Sequence, residues 1–207
     1  GSTFDSMFSN CTSLQVIPTL DLSNAKILTS MFAYCANLSD GPTTLNAPQG
    51  TDFTFMFMGC SSLRKLPQLS ISNATTVRGL FAGTSIKTVP DLGLSYSNCT
   101  DFSQMFYECR NLEEAPVMDT SNGTAFDQMF MNCISLKKVP LYDFSKGKTF
   151  SWQFFGCPLE EVPAFDFSNA TDLGNGSGLS AINAVTMPAW IIGPKLTSFQ
   201  MSAQCLR

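Results

Sequence analysis

Eight cysteines, two pairs of adjacent glutamates and no histidine set what chemistry this 207-residue chain can do. Without histidine the commonest general base is missing, and so are the Ser-His and Cys-His nucleophile pairs and most transition-metal sites. Carboxylate-only catalysis would fall to Glu113-Glu114 and Glu160-Glu161. Neighbours on an extended strand point to opposite faces, so neither pair is a ready-made acid/base dyad. The cysteines invite a disulfide or zinc reading, but no Cys-x-x-Cys pair occurs. Asp21, Asp119, Asp143 and Asp166 supply one carboxylate per repeat, too few for calcium, which takes about six to eight oxygens. Turn capping accounts for them instead. Lys146-Gly147-Lys148-Thr149 lacks the upstream glycine spacing of a phosphate loop. The chain is therefore expected to be non-enzymatic, with no cofactor and no metal.

What organises these residues is a repeat. Met-Phe, or a close variant, stands at Met7-Phe8, Met31-Phe32, Met56-Phe57, Leu80-Phe81, Met105-Phe106, Met129-Phe130 and Gln153-Phe154. A cysteine follows at Cys11, Cys35, Cys60, Cys109, Cys133, Cys157 and Cys205, with Thr84 standing in once. Eight of the eleven prolines share one phase, which chance does not produce. A polar Ser-Asn corner closes each unit, as at Asp166-Phe167-Ser168-Asn169-Ala170-Thr171; the Asn-x-Thr sequons there read as turn chemistry first. Two units are irregular: Leu80–Ile86 is one residue short, and Leu173–Leu179 has lost Met-Phe and carries three glycines.

Units of about 24 residues cannot bury an apolar side alone and must stack on their neighbours. The expected fold is one domain over 1–207: a right-handed, leucine-rich-repeat-like solenoid of about eight turns. It would have one parallel sheet along Leu-x-x-Val-Pro and irregular return legs; a triangular parallel β-helix is the alternative. The ends interrupt the repeat, so a segment of a longer chain is expected. In-phase cysteines then form a column of buried thiols acting as small hydrophobes. Cys99, out of phase, is the thiol expected to be accessible.

The Phe-x-x-Cys-x-x-Leu-x-x-Val-Pro core, as in Phe106-x-x-Cys109-x-x-Leu112 and Phe130-x-x-Cys133-x-x-Leu136, resembles the leucine-rich repeats of BspA-like bacterial surface proteins. With the added Met and the Asp-x-Ser-Asn-x-Thr corner it is similar to the repeat, roughly 25 residues long, of Mycoplasma-type surface lipoproteins. The resemblance implies a secreted or surface-displayed protein of a bacterium, with adhesion and protein binding as its role. It carries no defined binding residues.

Composition narrows the partners. A net charge of -4 and pI near 4.7 argue against nucleic acid, which needs clustered Lys and Arg. No apolar run reaches the roughly 18 residues of a membrane span. The expected partner is a host or neighbouring-cell protein, with a glycan as the alternative, and the chain itself is expected to be a monomer. The alternatives to a protein-binding role are a carbohydrate-binding module and a structural spacer of a cell-surface, pilus or phage appendage. Two sets of positions vary from unit to unit and are the candidate binding residues. One is the charged pair before Val-Pro, including Lys65, Glu114, Lys138 and Glu161. Its alternating sign favours correct register through cross-strand pairs. The other lies two residues after the proline, where Tyr142, Phe165 and Trp190 are expected to form a partly exposed aromatic strip.

If the cysteines are packing groups, alkylating the denatured, unreduced protein modifies all eight. A mass showing fewer than six modified thiols contradicts that reading.

Overall fold

A computed structural model describes residues 2–39, 44–66, 68–89, 98–174 and 191–194. Successive units form coils that pair in parallel at offsets of about 24 residues. One ladder runs through Thr3, Ile27, Asp52, Thr76, Asp101, Ala125, Thr149 and Asp172, one residue per coil. A second joins Glu114, Lys138 and Glu161. Extended pieces long enough to count as strands are β1 (Thr44–Asn46) with β2 (Gln68–Ser70), and β3 (Asp166–Phe167) with β4 (Ile191–Ile192), each pair parallel. Among the described residues there is no helix. The expected pairing beside Val-Pro is thus present as the single bridges of Glu114, Lys138 and Glu161 and, just past the proline, as the short strands β1–β2 and β3–β4. The longest ladder lies on the leg that leads into Met-Phe.

The Met-Phe-x-x-Cys segment explains why. In the coil of Met105, the amides of Met105, Tyr107 and Cys109 donate to the carbonyls of Phe102, Gln104 and Phe106 within the coil, at 3.2, 2.9 and 3.0 Å. The intervening amides of Phe102, Gln104, Phe106 and Glu108 donate to Ala125, Asp127, Met129 and Met131 of the next coil, at 2.8–2.9 Å. Alternate residues thus close turns or bond between coils, and no amide of this stretch is left over. Closing the turns this way puts two residues per coil at positive φ, one before Met and one before Cys. Gln104 (60°) and Glu108 (54°) do so here, and Gln128 and Asn132 in the next coil. Five of the seven residues at the position before Cys or Thr84 are Asn10, Gly59, Gly83, Asn132 and Gly156, the types that tolerate this region; Tyr34 and Glu108 are the other two. At Gly59 the hydrogen is needed twice over, because a Cβ there would fall 2.6 Å from the Tyr34 ring of the preceding coil.

Side chains stack in the same register. Phe8, Phe32, Phe57, Phe81, Phe106, Phe130 and Phe154 form one column with ring centroids 5.4–6.1 Å apart and planes within 25° of each other. Phe102, Phe126 and Phe150 form a second, at 5.3 and 5.2 Å. Each offset-stacked pair contributes about 0.5–1.5 kcal/mol beyond its burial.

Cys35, Cys60, Cys109, Cys133 and Cys157 are buried and lie in line. Each thiol donates to the carbonyl of the preceding coil's phenylalanine: Cys35 to Phe8, Cys60 to Phe32, Cys109 to Phe81, Cys133 to Phe106 and Cys157 to Phe130, at 2.8–3.1 Å. Thr84 keeps the column going, its hydroxyl bonding the Phe81 carbonyl at 2.8 Å beside the Cys109 sulfur. Cys11, on the first described coil, is exposed.

The polar corners are equally regular. The carboxylates of Asp21, Asp119, Asp143 and Asp166 accept from the amides of Ser23, Ser121, Ser145 and Ser168 at 2.8–3.0 Å. Hydrogen bonding to Ser23 and Ser121 holds the Asp21 and Asp119 carboxyls below the ordinary range. In the sequons, Asn73 and Asn169 donate to Pro48 and Ser145 of the coil before, and Thr75 and Thr171 to Thr51 and Lys148. Both side chains of the sequon therefore tie neighbouring coils together.

Two outcomes follow from this geometry. Glu108→Gly releases the positive-φ cost of a residue with a Cβ and raises stability by about 0.5–1 kcal/mol in urea unfolding, whereas Glu108→Val lowers it; a destabilised glycine variant contradicts the turn scheme. Burial also pushes the thiols of Cys60 and Cys109 up to about 12 from 9.0, and raises Cys133 as well. A thiol whose pKa rises on folding stabilises the fold fully below its unfolded value and loses that contribution as pH climbs toward the folded one. Tm therefore falls between about pH 9 and 12, and falls less in Cys109→Ala; equal slopes for the two proteins count against it.

Candidate functional site

Repetition fixes the inward positions, so any site must be built from outward ones. The second half of the chain presents such a face where Leu-x-x-Val-Pro meets the solvent. Each coil adds two charged residues of one sign, and the sign changes from coil to coil: Glu113 and Glu114, then Lys137 and Lys138, then Glu160 and Glu161, with Lys87 before them. All seven are exposed. The leg does not turn one of each pair inward, as adjacent positions on a flat strand would require.

The side chains bridge neighbouring coils. Lys87 meets Glu113 at 3.3 Å, Lys137 meets Glu160 at 2.8 Å, and Lys138 meets Glu161 at 3.2 Å. Cross-coil ion pairs thus follow the parallel register, as the alternating charges suggest. Each exposed pair contributes about 0–1 kcal/mol. The bond between Lys137 and Glu160 raises the ammonium pKa and lowers the carboxyl pKa, so both stay charged near neutrality. Neither is poised to exchange a proton there. Glu114 and Lys65 make no ion pair with a described residue, and Lys65 stands apart, two coils before Glu114.

Glu113, Glu114, Ile134, Ser135, Lys137 and Lys138 line an open depression of about 560 Å³ on this face. Beside the charges, one residue after each proline, Val117, Leu141 and Ala164 point outward. Val117 is 88% exposed and Leu141 69%, the two most exposed large apolar side chains among the described residues. The face therefore combines alternating charge, a shallow groove and an apolar row.

The expected aromatic strip is not there. Tyr142 is 2% exposed and Phe165 is fully buried. The Tyr142 ring packs 6.1 Å from Phe130, with its hydroxyl donating to the Pro116 carbonyl at 2.7 Å, and Phe165 lies 5.9 Å from Phe154. Side chains alternate along the extended leg, so the residue two after proline points in and the residue one after points out. Leu69 and Met118, buried in the same column, carried that signal in the sequence. Trp190 lies outside the described residues. Cys99 is also buried, not accessible, and burial pushes its thiol up to about 12. It occupies the inward place that alanine holds at Ala25, Ala74 and Ala170 in the Ser-Asn corner, so it too packs as a small hydrophobe. Cys11 is the exposed thiol among those described.

Among the described residues no helix is long and apolar enough to cross a membrane. No curated protein and no solved structure matches the chain. A family model, described as a Mycoplasma protein of unknown function, DUF285, matches residues 2–115 and 93–175. Together the two matches take in most of the chain, overlap at the coil of Met105-Phe106-x-x-Cys109, and end where the Met-Phe pattern stops. A protein whose repeats run through both matched segments belongs to the DUF285 family.

Proposed function

We propose that the chain is a leucine-rich-repeat-like solenoid of the BspA-like class, a non-enzymatic binding module displayed at or secreted from the surface of a bacterium. Its partner is a protein of a host or neighbouring cell. The observation that carries this reading is the outward face of the second half, where an exposed apolar row, Val117 and Leu141, borders a surface of alternating charge. Apolar side chains rimmed by charge are the usual makeup of a recognition surface, with the charges setting specificity and orientation. The glycan alternative is weaker, because it relied on an aromatic strip to which Tyr142 and Phe165 do not contribute.

Beads coated with the protein test this on cultured epithelial cells and on immobilised extracellular-matrix proteins. Retention on one of these surfaces is expected, and Leu141→Asp lowers it about tenfold or more while Lys26→Glu, on another side, leaves it unchanged. Equal retention of wild type and Leu141→Asp, or none on any protein surface, contradicts the reading.

A further inference from the structure

The face described above is complementary to itself. Read from coil to coil, its charges are Lys87, then Glu113 and Glu114, then Lys137 and Lys138, then Glu160 and Glu161. Take a two-fold axis lying in the face, along the extended leg, between the coil of Glu113 and the coil of Lys137. Rotation about it turns the face over and reverses the order of coils. Glu113 and Glu114 then oppose Lys137 and Lys138 of the second copy, and Lys87 opposes its Glu160 and Glu161. Every coil meets one of opposite sign. The same rotation lays Val117, 88% exposed, against Leu141, 69% exposed, so the apolar row closes on itself as well. The other in-plane axis, along the direction in which coils stack, sets like charges on like and is disfavoured.

Resting on the reading that this face binds protein, we propose that the partner it fits is a second copy of this chain, docked antiparallel in an isologous pair. The expectation of a monomer gives way to a reversible dimer. The leg from Glu113 to Val117 spans about 16 Å and four coils span about 19 Å, a patch of about 300 Å² per copy. A stable interface takes about 800 Å² per partner, so the association is weak and concentration-dependent. It also strengthens as salt is lowered, because exposed charges are screened within about 8 Å at physiological ionic strength. Weak antiparallel pairing of many copies suits contact between two facing surfaces, where valency multiplies a modest affinity.

Sedimentation equilibrium at low ionic strength tests the pairing. Wild type rises from 22.5 kDa toward twice that mass as concentration increases. The double variants Glu113→Lys/Glu114→Lys and Lys137→Glu/Lys138→Glu, each with an unchanged circular dichroism spectrum, stay monomeric alone. Mixed in equal amounts they associate, because each then meets the opposite charge. Wild type that is monomeric at every concentration overturns the proposal, and so does a mixture that associates no better than either variant alone. Monomeric wild type whose beads are still retained by cells through Leu141 overturns the pairing while leaving the face a site for a different protein.

Discussion

No coil of this protein can bury its own apolar side, and that single constraint reaches every other feature of the structure. Met, Phe, Cys and Leu point to a strip that only the neighbouring coils can cover. Stacking them demands that the backbone pass through the same positions every 23 to 25 residues. It does so by dividing its amides between turns within a coil and bonds to the next. The division costs two positive-φ residues per coil, and the stacked phenylalanine rings and thiol-to-carbonyl bonds offset that cost. The side chains that look most reactive, the buried in-phase cysteines, are the ones this arrangement leaves with the least chemistry to do. Cys35, Cys60, Cys109, Cys133 and Cys157 are buried and bonded to carbonyls of the coil before, and they are packing groups.

The same constraint decides where recognition can lie. Positions repeated from coil to coil are consumed by packing and corner capping. Outward positions are free to differ, and in the second half they do so in an ordered way, with charge alternating by coil beside an exposed apolar row. Alternation serves the fold, because it pairs neighbouring coils. It also makes the face its own complement once the coil order is reversed. One pattern can therefore set register within a chain and orientation between chains.

Much of this was legible in the residues. The period, the burial of the thiols from Cys35 to Cys157 that share its phase, the carboxylate caps at Asp119 and Asp166 and the cross-coil pairing of Lys137 with Glu160 all follow from phase, because a repeat that stacks brings equal positions together. Cys11, on the first described coil, is the exposed exception. The direction in which a given position points was harder. The size of Tyr142 and Phe165 suggests a binding strip, whereas Leu69 and Met118 in the same column mark the inward side. Cys99 is out of phase with the thiol column but in phase with the alanines of its own corner, and that phase decides its burial. Glycine and asparagine before Cys are residue types that tolerate positive φ, but Gln104 and Gln128 before Met are not. Their amides bond to Asp127 and Ser151 of the next coil, a non-local cause that no local propensity records.

The most direct measurement of the stacking is residue-resolved amide hydrogen exchange. Protection should repeat with the coils: slowest and nearly equal at Phe32 and Tyr34, Phe57 and Gly59, Phe81 and Gly83, Phe106 and Glu108, and Phe130 and Asn132, whose amides all bond between coils. Rapid exchange at these amides, or protection confined to one or two coils, would contradict the account.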